Sequence, residues 1–410
     1  MRILSITAQK PNSTGSGVYL TELVKEYEML GHEQAVVAGV YRGDLIELPD
    51  GVAFYPVYFC EEGLPYPIVG MSDEMPYIST KYCEMSPEMV EQFRSSFMSV
   101  IERVVEELQP DLILCHHLYL LTALVREHFP GRKVYGFCHN TDLRQMQKTD
   151  LEREFIRREI GKLDHIFVPQ RAQEEGVLTL YPVDKEKITR VGMGYNNQIF
   201  HLAEESCDKE GVTSLVFAGK IAEKKGVKSL LRAMALLGDE KELDMNRVQL
   251  LLAGSTGNEE EYQMIEGLAG RCPCKVKFLG RLSQSELARV YQQSDIFVLP
   301  SFFEGIPLTV IEALACGDRV VMTDLPGIKE WITSVSSDAD VRYVTLPRMR
   351  NADEPLEEDL PEFERKLADA LKASVLQKET HLADVSQISW EAIAKEVLRL
   401  KQLNDKKDQK

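Results

Sequence analysis

Short apolar runs alternate with stretches of helical periodicity from one end of the chain to the other. That alternation predicts strands joined by crossover helices. In the first half the apolar runs fall at 2–8, 34–40, 52–58, 111–116, 133–138, 165–170 and 188–192, with helical patterns at 18–30 and 87–108 among the segments between them. In the second half they fall at 214–220, 247–254, 275–280, 295–301 and 318–323, each joined to the next by a segment of helix length. Short runs of this kind read as buried parallel strands, so each half is predicted to form its own doubly wound α/β sheet. The Gly/Asn-rich stretch from Gly192 to His201 reads as a hinge. The predicted domains are 1–193 and 194–385, followed by a C-terminal segment, 386–410, with an amphipathic helix over 389–403. Residues 61–86, which include Leu64-Pro65-Tyr66-Pro67 and Met71-Ser72-Asp73, are expected to form a long loop excursion, and 346–360 an acidic surface loop.

Length agrees with the pattern, because 410 residues exceed what one core usually supports. The formal net charge of −17 disfavours non-specific nucleic-acid binding, which depends on cations, and broad adsorption to anionic lipid. No apolar run reaches the ~18 residues of a membrane span, and the apolar start of MRILSITAQKPN is too short for an export signal. A cytoplasmic location is expected. The eight cysteines contain no CxxC pair, and Cys272-Pro273-Cys274 lacks the partners of a zinc site.

Ligands of doubly wound sheets bind beyond the carboxyl ends of the strands. In the second half, Lys220 stands at the carboxyl end of the strand at 214–220, and Lys224 and Lys225 fall just before the next helix, which suits either a diphosphate site or a solvated basic loop. The stretch SFFEGIPLTVIEALACG places Glu304 on the loop after the strand at 295–301, Pro307 at the first position of a helix over 308–315, and Glu312 more than one turn into that helix. The backbone from Gly305 to Leu308 is expected to present N–H groups to the same region. In the first half, Gly15-Ser16-Gly17 lacks the third glycine of a dinucleotide fingerprint, because Leu20 stands there. His116 and His117 read as packing residues, and Asp338-Ala339-Asp340 as a solvated acidic triplet.

Taken together, these pieces resemble glycosyltransferase family 4, the group 1 glycosyl transferases. The resemblance rests on Ser13 to Gly17, Leu30-Gly31-His32-Glu33, PDLILCHH (110–117), FCHN (137–140), GYNNQIF (194–200), GKIAEKKG (219–226), LLLAGS (250–255), the segment 277–301 and the Glu304/Glu312 pair. It implies a GT-B fold of two facing Rossmann-like domains with an inter-domain cleft, the last helix crossing back to the first domain. It also implies retaining, metal-independent transfer of a sugar from a nucleotide sugar, a UDP-sugar above all, with no further cofactor and no metal site. By the same resemblance Glu304, His139 and Lys225 are the catalytic set. Lys220, Lys225, Gly15 and Gly17 serve the donor diphosphate. Glu304, Gly305, Ile306, Pro307 and His139 serve the donor sugar, and Glu312 and Arg281 the nucleotide. The acceptor, whether carbohydrate, lipid-linked or small molecule, is assigned to the first domain. There Arg144, Lys148, Arg153, Arg157 and Arg158 add positive charge, suiting either a phosphorylated or lipid-linked acceptor or a solvated helix face. Lys220 stands where the family commonly has Arg, keeping the charge without the bidentate fork. A GT-B nucleotide-sugar epimerase and a non-catalytic nucleotide-sugar-binding subunit are the competing expectations.

Overall fold

The structure, a computed structural model, describes all residues except 73–74, 205–210, 352 and 409–410. Asp73 of the expected excursion therefore lies outside the described residues. The chain divides into two compact units, Met1–Gly194 with Trp390–Lys410, and Tyr195–Ser389.

Unit 1 is built on a parallel sheet of β1 (Arg2–Thr7), β2 (Glu33–Val40), β3 (Val52–Tyr58), β6 (Leu112–His116), β7 (Val134–Phe137), β8 (His165–Val168) and β9 (Ile188–Arg190), in the order β3-β2-β1-β6-β7-β8-β9. Pro56 lies in edge strand β3, where its missing N–H interrupts no second ladder. The excursion after β3 is more ordered than expected of a loop. Its β4 (Val69–Gly70) and β5 (Thr80–Lys81) pair in parallel, and Val69 and Met71 are buried. Helices α1 (Gly15–Met29), α2 (Pro87–Leu108), α3 (Leu120–His128), α4 (Thr141–Lys148), α5 (Arg153–Ile160) and α6 (Arg171–Leu180) connect the strands.

Tyr19 of α1 meets Phe137 and the indole of Trp390, with ring centroids 5.5 and 4.8 Å away. Trp390 also presses on Gly194, where a Cβ would stand 2.3 Å from the indole. Only glycine leaves room for that ring. Burial of a Trp in this way contributes on the order of 3 kcal/mol.

Unit 2 repeats the design with β10 (Thr213–Ala218), β11 (Val248–Ala253), β12 (Lys275–Gly280), β13 (Ile296–Leu299), β14 (Arg319–Asp324) and β15 (Val341–Thr345), in the order β12-β11-β10-β13-β14-β15. Strand β15 has no counterpart among the predicted strands. It is an edge strand with only Val344 fully buried, so it lacks the continuous apolar run that marks the others. Helices α7 (Val227–Leu236), α8 (Glu259–Ala269), α9 (Gln284–Gln293), α10 (Leu308–Ala315), α11 (Ile328–Val335) and α12 (Leu360–Leu376) surround this sheet, and α13 (Trp390–Asp408) belongs to unit 1.

The described residues of segment 346–360 lie mostly at the surface, where ion pairs hold the segment. Arg348 holds Glu358 and Asp359 at 2.6 and 2.8 Å, and Asp353 accepts from Lys224 at 2.7 Å. The acidic triplet is tied into the fold as well: Asp338 accepts from Ser336 Oγ at 2.8 Å and Asp340 from Gln377 Nε2 at 2.5 Å.

Strand order reverses once in each sheet, between β1 and β6 in unit 1 and between β10 and β13 in unit 2. Beyond the carboxyl ends of such a strand pair the connecting loops diverge and leave a crevice. The loops after β10 and β13 carry Lys220, Lys225 and Glu304; the loop after β1 carries Gly15-Ser16-Gly17.

Candidate functional site

In unit 2, glycines bring the strand-end loops close together. Gly219 and Gly254 follow β10 and β11 with φ of +157° and +147°, and a Cβ on Gly254 would stand 1.7 Å from the Gly219 carbonyl oxygen. Gly226, with φ of +72°, leaves no space either, since a Cβ there would meet the Pro300 carbonyl oxygen at 2.0 Å. Only the backbone of glycine fits these contacts. Backbone bonds then lace the loops together: Ile221 N donates to Ser255 O at 3.0 Å, Gly254 N to Gly280 O at 2.7 Å and Phe302 N to Lys224 O at 3.2 Å.

This packing forms a cavity of about 440 Å³ lined by Gly219, Lys220, Gly254, Ser255, Arg281 and Thr309, among others. Its size is that of a small-molecule site. Lys220 lies two residues past β10 rather than on the strand end, and neither its ammonium nor the Arg281 guanidinium has a hydrogen-bond or ion-pair partner among the described residues. Two cations without counter-charges thus share one concave surface.

Lys225 is differently placed. Its ammonium lies 2.8 Å from Glu304 Oε1 and 3.5 Å from the Phe303 carbonyl, linking the loops after β10 and β13. Lys224 turns away to Asp353, so the adjacent lysines do not form one cationic pair. The amides of Lys225 and Gly226 bond the carbonyls of Ala222 and Glu223 at 3.2 and 2.7 Å. These two amides, which precede α7, are therefore not free for an anion.

The turn after Glu304 also differs from expectation. Pro307 caps α10 instead of occupying its first position, and has no N–H to offer. Leu308 N already donates to Ile306 O at 2.9 Å. The Gly305 and Ile306 amides are the ones left without an acceptor among the described residues.

Glu312 sits one turn into α10 among buried Val310, Ile311 and Ala313, and is only 9% exposed. It has no hydrogen-bond partner among the described residues, and burial pushes its carboxyl up to about 7. Such a group is stabilised by any ligand that brings hydroxyl donors to it.

In unit 1, Gly15 opens α1 with free space around it, and Thr14 caps the helix by accepting from Gly17 N at 3.2 Å. A Cβ on Gly17 would meet Lys10 O at 2.7 Å and Asn12 N at 2.9 Å, so Gly17 accommodates the chain's own loop. His139, half-buried after β7, packs against buried His116 and His117. Its Nε2 lies 3.1 Å from His116 Nδ1, and the ring centroids of His116 and His117 lie 5.3 and 4.8 Å from its own. Burial, with the neighbouring imidazoles adding to it, holds His139 well below the usual histidine range, so it is neutral near pH 7. Asp142 in the first turn of α4 accepts from Leu118 N at 2.8 Å and His139 N at 3.2 Å, joining the loops after β6 and β7. His117 and Asn140 hold left-handed φ of 74° and 68° on those loops.

The basic residues near α5 are largely paired: Arg153 with Asp150 at 2.9 Å, and Arg158 and Lys162 with buried Glu159 at 2.8 and 2.7 Å. Arg144 remains exposed on α4. Ser255 and Thr309, which line the cavity, received no individual role from the sequence, although LLLAGS was among its motifs. Asp142 received none either.

Unit 1 and unit 2 each match a family model. Residues 13–198 match Glycosyltransferase Family 4, and residues 213–343 match Glycosyl transferases group 1. An uncharacterized glycosyltransferase of Methanocaldococcus jannaschii is 24% identical over 247 residues, covering 54% of this chain and 60% of the relative. D-inositol 3-phosphate glycosyltransferase of Stackebrandtia nassauensis is 26% identical over 235 residues, covering 55% and 53%. The matched region thus spans little more than half the length of these relatives. Among solved structures, Anabaena HepE in complex with UDP superimposes with a TM-score of 0.58 at 14% identity, over 99% of both chains. That likeness, with the two Rossmann-like sheets, identifies the fold as GT-B. Two consecutive model matches together cover well over half of the residues, and the chain belongs to the family 4, group 1 glycosyltransferases.

Proposed function

We propose that this chain transfers a sugar from a UDP-sugar to an acceptor hydroxyl, with retention at the anomeric carbon and no required metal. The observation that carries the reading is the Lys225–Glu304 pair across the two switch-point loops of unit 2, on the same strand-end face as the cavity holding Lys220 and Arg281. In the reaction the acceptor oxygen bonds to the anomeric carbon as the bond from that carbon to the diphosphate oxygen breaks. The hydroxyl proton leaves with the diphosphate.

Negative charge grows on the departing oxygen, and preorganised Lys220 and Lys225 lower the barrier to its departure. The Gly305 and Ile306 amides add neutral donors. Glu304 accepts from donor-sugar hydroxyls, Glu312 from the ribose diol, and Arg281 borders the base. The choice of uridine is supported by UDP in the Anabaena neighbour and rests on fold likeness alone.

Calorimetry with UDP, GDP and ADP, followed by incubation with the matching nucleotide sugars, tests this reading. Tightest binding to UDP and slow release of UDP from its sugars, undiminished after exhaustive chelation, are expected. An isomerised donor would make the chain an epimerase, binding without turnover a carrier subunit, and a strict divalent requirement would remove the metal-free mechanism.

A further inference from the structure

The bond between His116 and His139 carries more than packing. His116 ends β6, and its buried ring runs nearly parallel to that of Phe137, with centroids 4.9 Å apart. The planes of His116 and His139 are inclined by only 16°, and their nitrogens approach to 3.1 Å while the ring centroids stay 5.3 Å apart. That approach is close to the least such centroids allow. The two rings therefore lie edge to edge, with a nitrogen of each pointing at the other. In this geometry a ring N–H meets the neighbour's lone pair nearly head on.

The other neighbours of His139 leave its two ring nitrogens undistinguished. Tyr19 and His117 contribute ring contacts, with centroids 5.3 and 4.8 Å away. Asp142 reaches His139 through the backbone amide. His116 Nδ1 is thus the one polar partner of the His139 imidazole among the described residues.

Burial holds both rings below the usual histidine range, so both are neutral near pH 7 and the facing nitrogens share one proton. If His139 donates from Nε2, each ring carries its proton on Nε2, the form that free imidazole side chains prefer. If His116 donates from Nδ1, each ring carries its proton on Nδ1, the less favoured form. The first arrangement leaves His139 Nδ1 as a bare acceptor.

We infer that His116 is a positioning residue: its Nδ1 accepts from His139 Nε2–H and so fixes the orientation and tautomer in which His139 Nδ1 can accept from a donor-sugar hydroxyl. This inference rests on the transferase reading proposed above and on the sugar contact that the family resemblance gives His139. Which nitrogen of a histidine carries the proton is set by the hydrogen bond the other makes, and here that bond comes from the neighbouring strand end.

The test uses the full chain, labelled with 15N and without ligand. Two-bond 15N–1H correlation spectra read the tautomer of each histidine, with His139 assigned by the signals missing from His139→Ala. Between pH 6 and 8, His139 should be protonated on Nε2 and bare on Nδ1. Release of UDP from UDP-glucose is then followed in two variants. His116→Phe keeps a ring beside Phe137 but offers no acceptor, so kcat should fall about tenfold or more while KM and UDP affinity hold. His116→Asn loses the ring but keeps an amide oxygen about where Nδ1 lies, so it should retain most of the turnover. A purely structural His116 predicts the reverse order, with Phe tolerated and Asn damaging. That order would overturn the inference, as would a His139 protonated on Nδ1 in the unmodified chain. Should neither variant fold, the spectra of the unmodified chain decide alone. Absent UDP release from the unmodified chain would count against the transferase reading, while the tautomer of His139 would still decide the bond.

Discussion

Lys225 and Glu304 neutralise each other at 2.8 Å, although the proposed chemistry requires both. Their side chains are 31% and 17% exposed, so the pair is partly shielded from water and from salt. On the proposed reading, a bound diphosphate would compete with Glu304 for Lys225, and the carboxylate so released would be free to accept from sugar hydroxyls.

Replacing Glu304 by Gln should separate these roles. Transfer should fall about tenfold or more, the scale for losing one preorganised polar contact in a transition state. UDP affinity should hold or rise, because Lys225 no longer has a competing carboxylate. Steady-state kinetics beside UDP calorimetry check this, and unchanged turnover would remove the sugar-contact role.

Lys220 has no partner to lose among the described residues, so Lys220→Ala should leave the melting temperature essentially unchanged. Its effect belongs to ligand binding. One charged hydrogen bond contributes about 1.5–3 kcal/mol, so UDP affinity should fall roughly 10- to 100-fold. Equal affinity in both proteins would refute the diphosphate site.

Glu312 makes a prediction whose sign follows from its raised pKa. A carboxyl at about 7 in the folded chain, against an unfolded value near 4.5, is disfavoured by folding when ionised. That penalty is absent below the unfolded value, develops as pH rises between the two, and is fully present above about 7. At about pH 8, Glu312→Gln should therefore stabilise unit 2, by at most on the order of 3 kcal/mol, and near pH 4.5 it should change little. Glu26 in unit 1 is also pushed up to about 7 by burial and by the nearby Glu391 and Glu22, but it is common to both proteins and cancels in the difference. UDP binding should move oppositely. Ribose hydroxyls favour the ionised carboxylate, so affinity in the unmodified protein should weaken as pH falls through 7, and the glutamine variant should lose that dependence. Thermal melts and calorimetry across pH 5–9 decide both.

Gly254→Ala should act on the fold rather than on the chemistry. Its Cβ cannot be accommodated 1.7 Å from the Gly219 carbonyl without moving the loops after β10 and β11. Loss of several kcal/mol from unit 2, with loss of UDP binding, is expected. Hydrogen exchange should show the loosening in 213–260 and spare unit 1 strands such as β1 and β6.

His139→Ala should instead lower turnover while UDP affinity survives. Because burial keeps His116 and His139 neutral, neither should contribute a titration between pH 5 and 8. The pH–rate profile of the variant should keep the shape of the parent's.

Both sheets and their central strands were legible in the chain because β1, β6, β10 and β13 are short, mostly apolar runs separated by segments of helix length. Strand β15 was not, because an edge strand with one fully buried residue has little apolar signal to give. The candidate residues were legible as types and positions, while their partners were not. That Lys225 faces Glu304 and Lys224 faces Asp353 depends on loop paths set by Gly219, Gly226 and Gly254, which no local spacing reveals. The His116–His139 bond joins the ends of two separate strands, so no single motif announces it.

The seat of Trp390 on Gly194 has a consequence for biosynthesis. Unit 1 buries an indole from the last stretch of the chain, whereas unit 2 is one continuous segment whose ends already meet in a bridge between Tyr195 and Ser389. Synthesised from the N-terminus, residues 1–194 lack the helix that carries this indole until unit 2 has been made. Burial of the Trp390 indole in unit 1 must therefore follow synthesis of residues 195–389, all of which precede it in the chain.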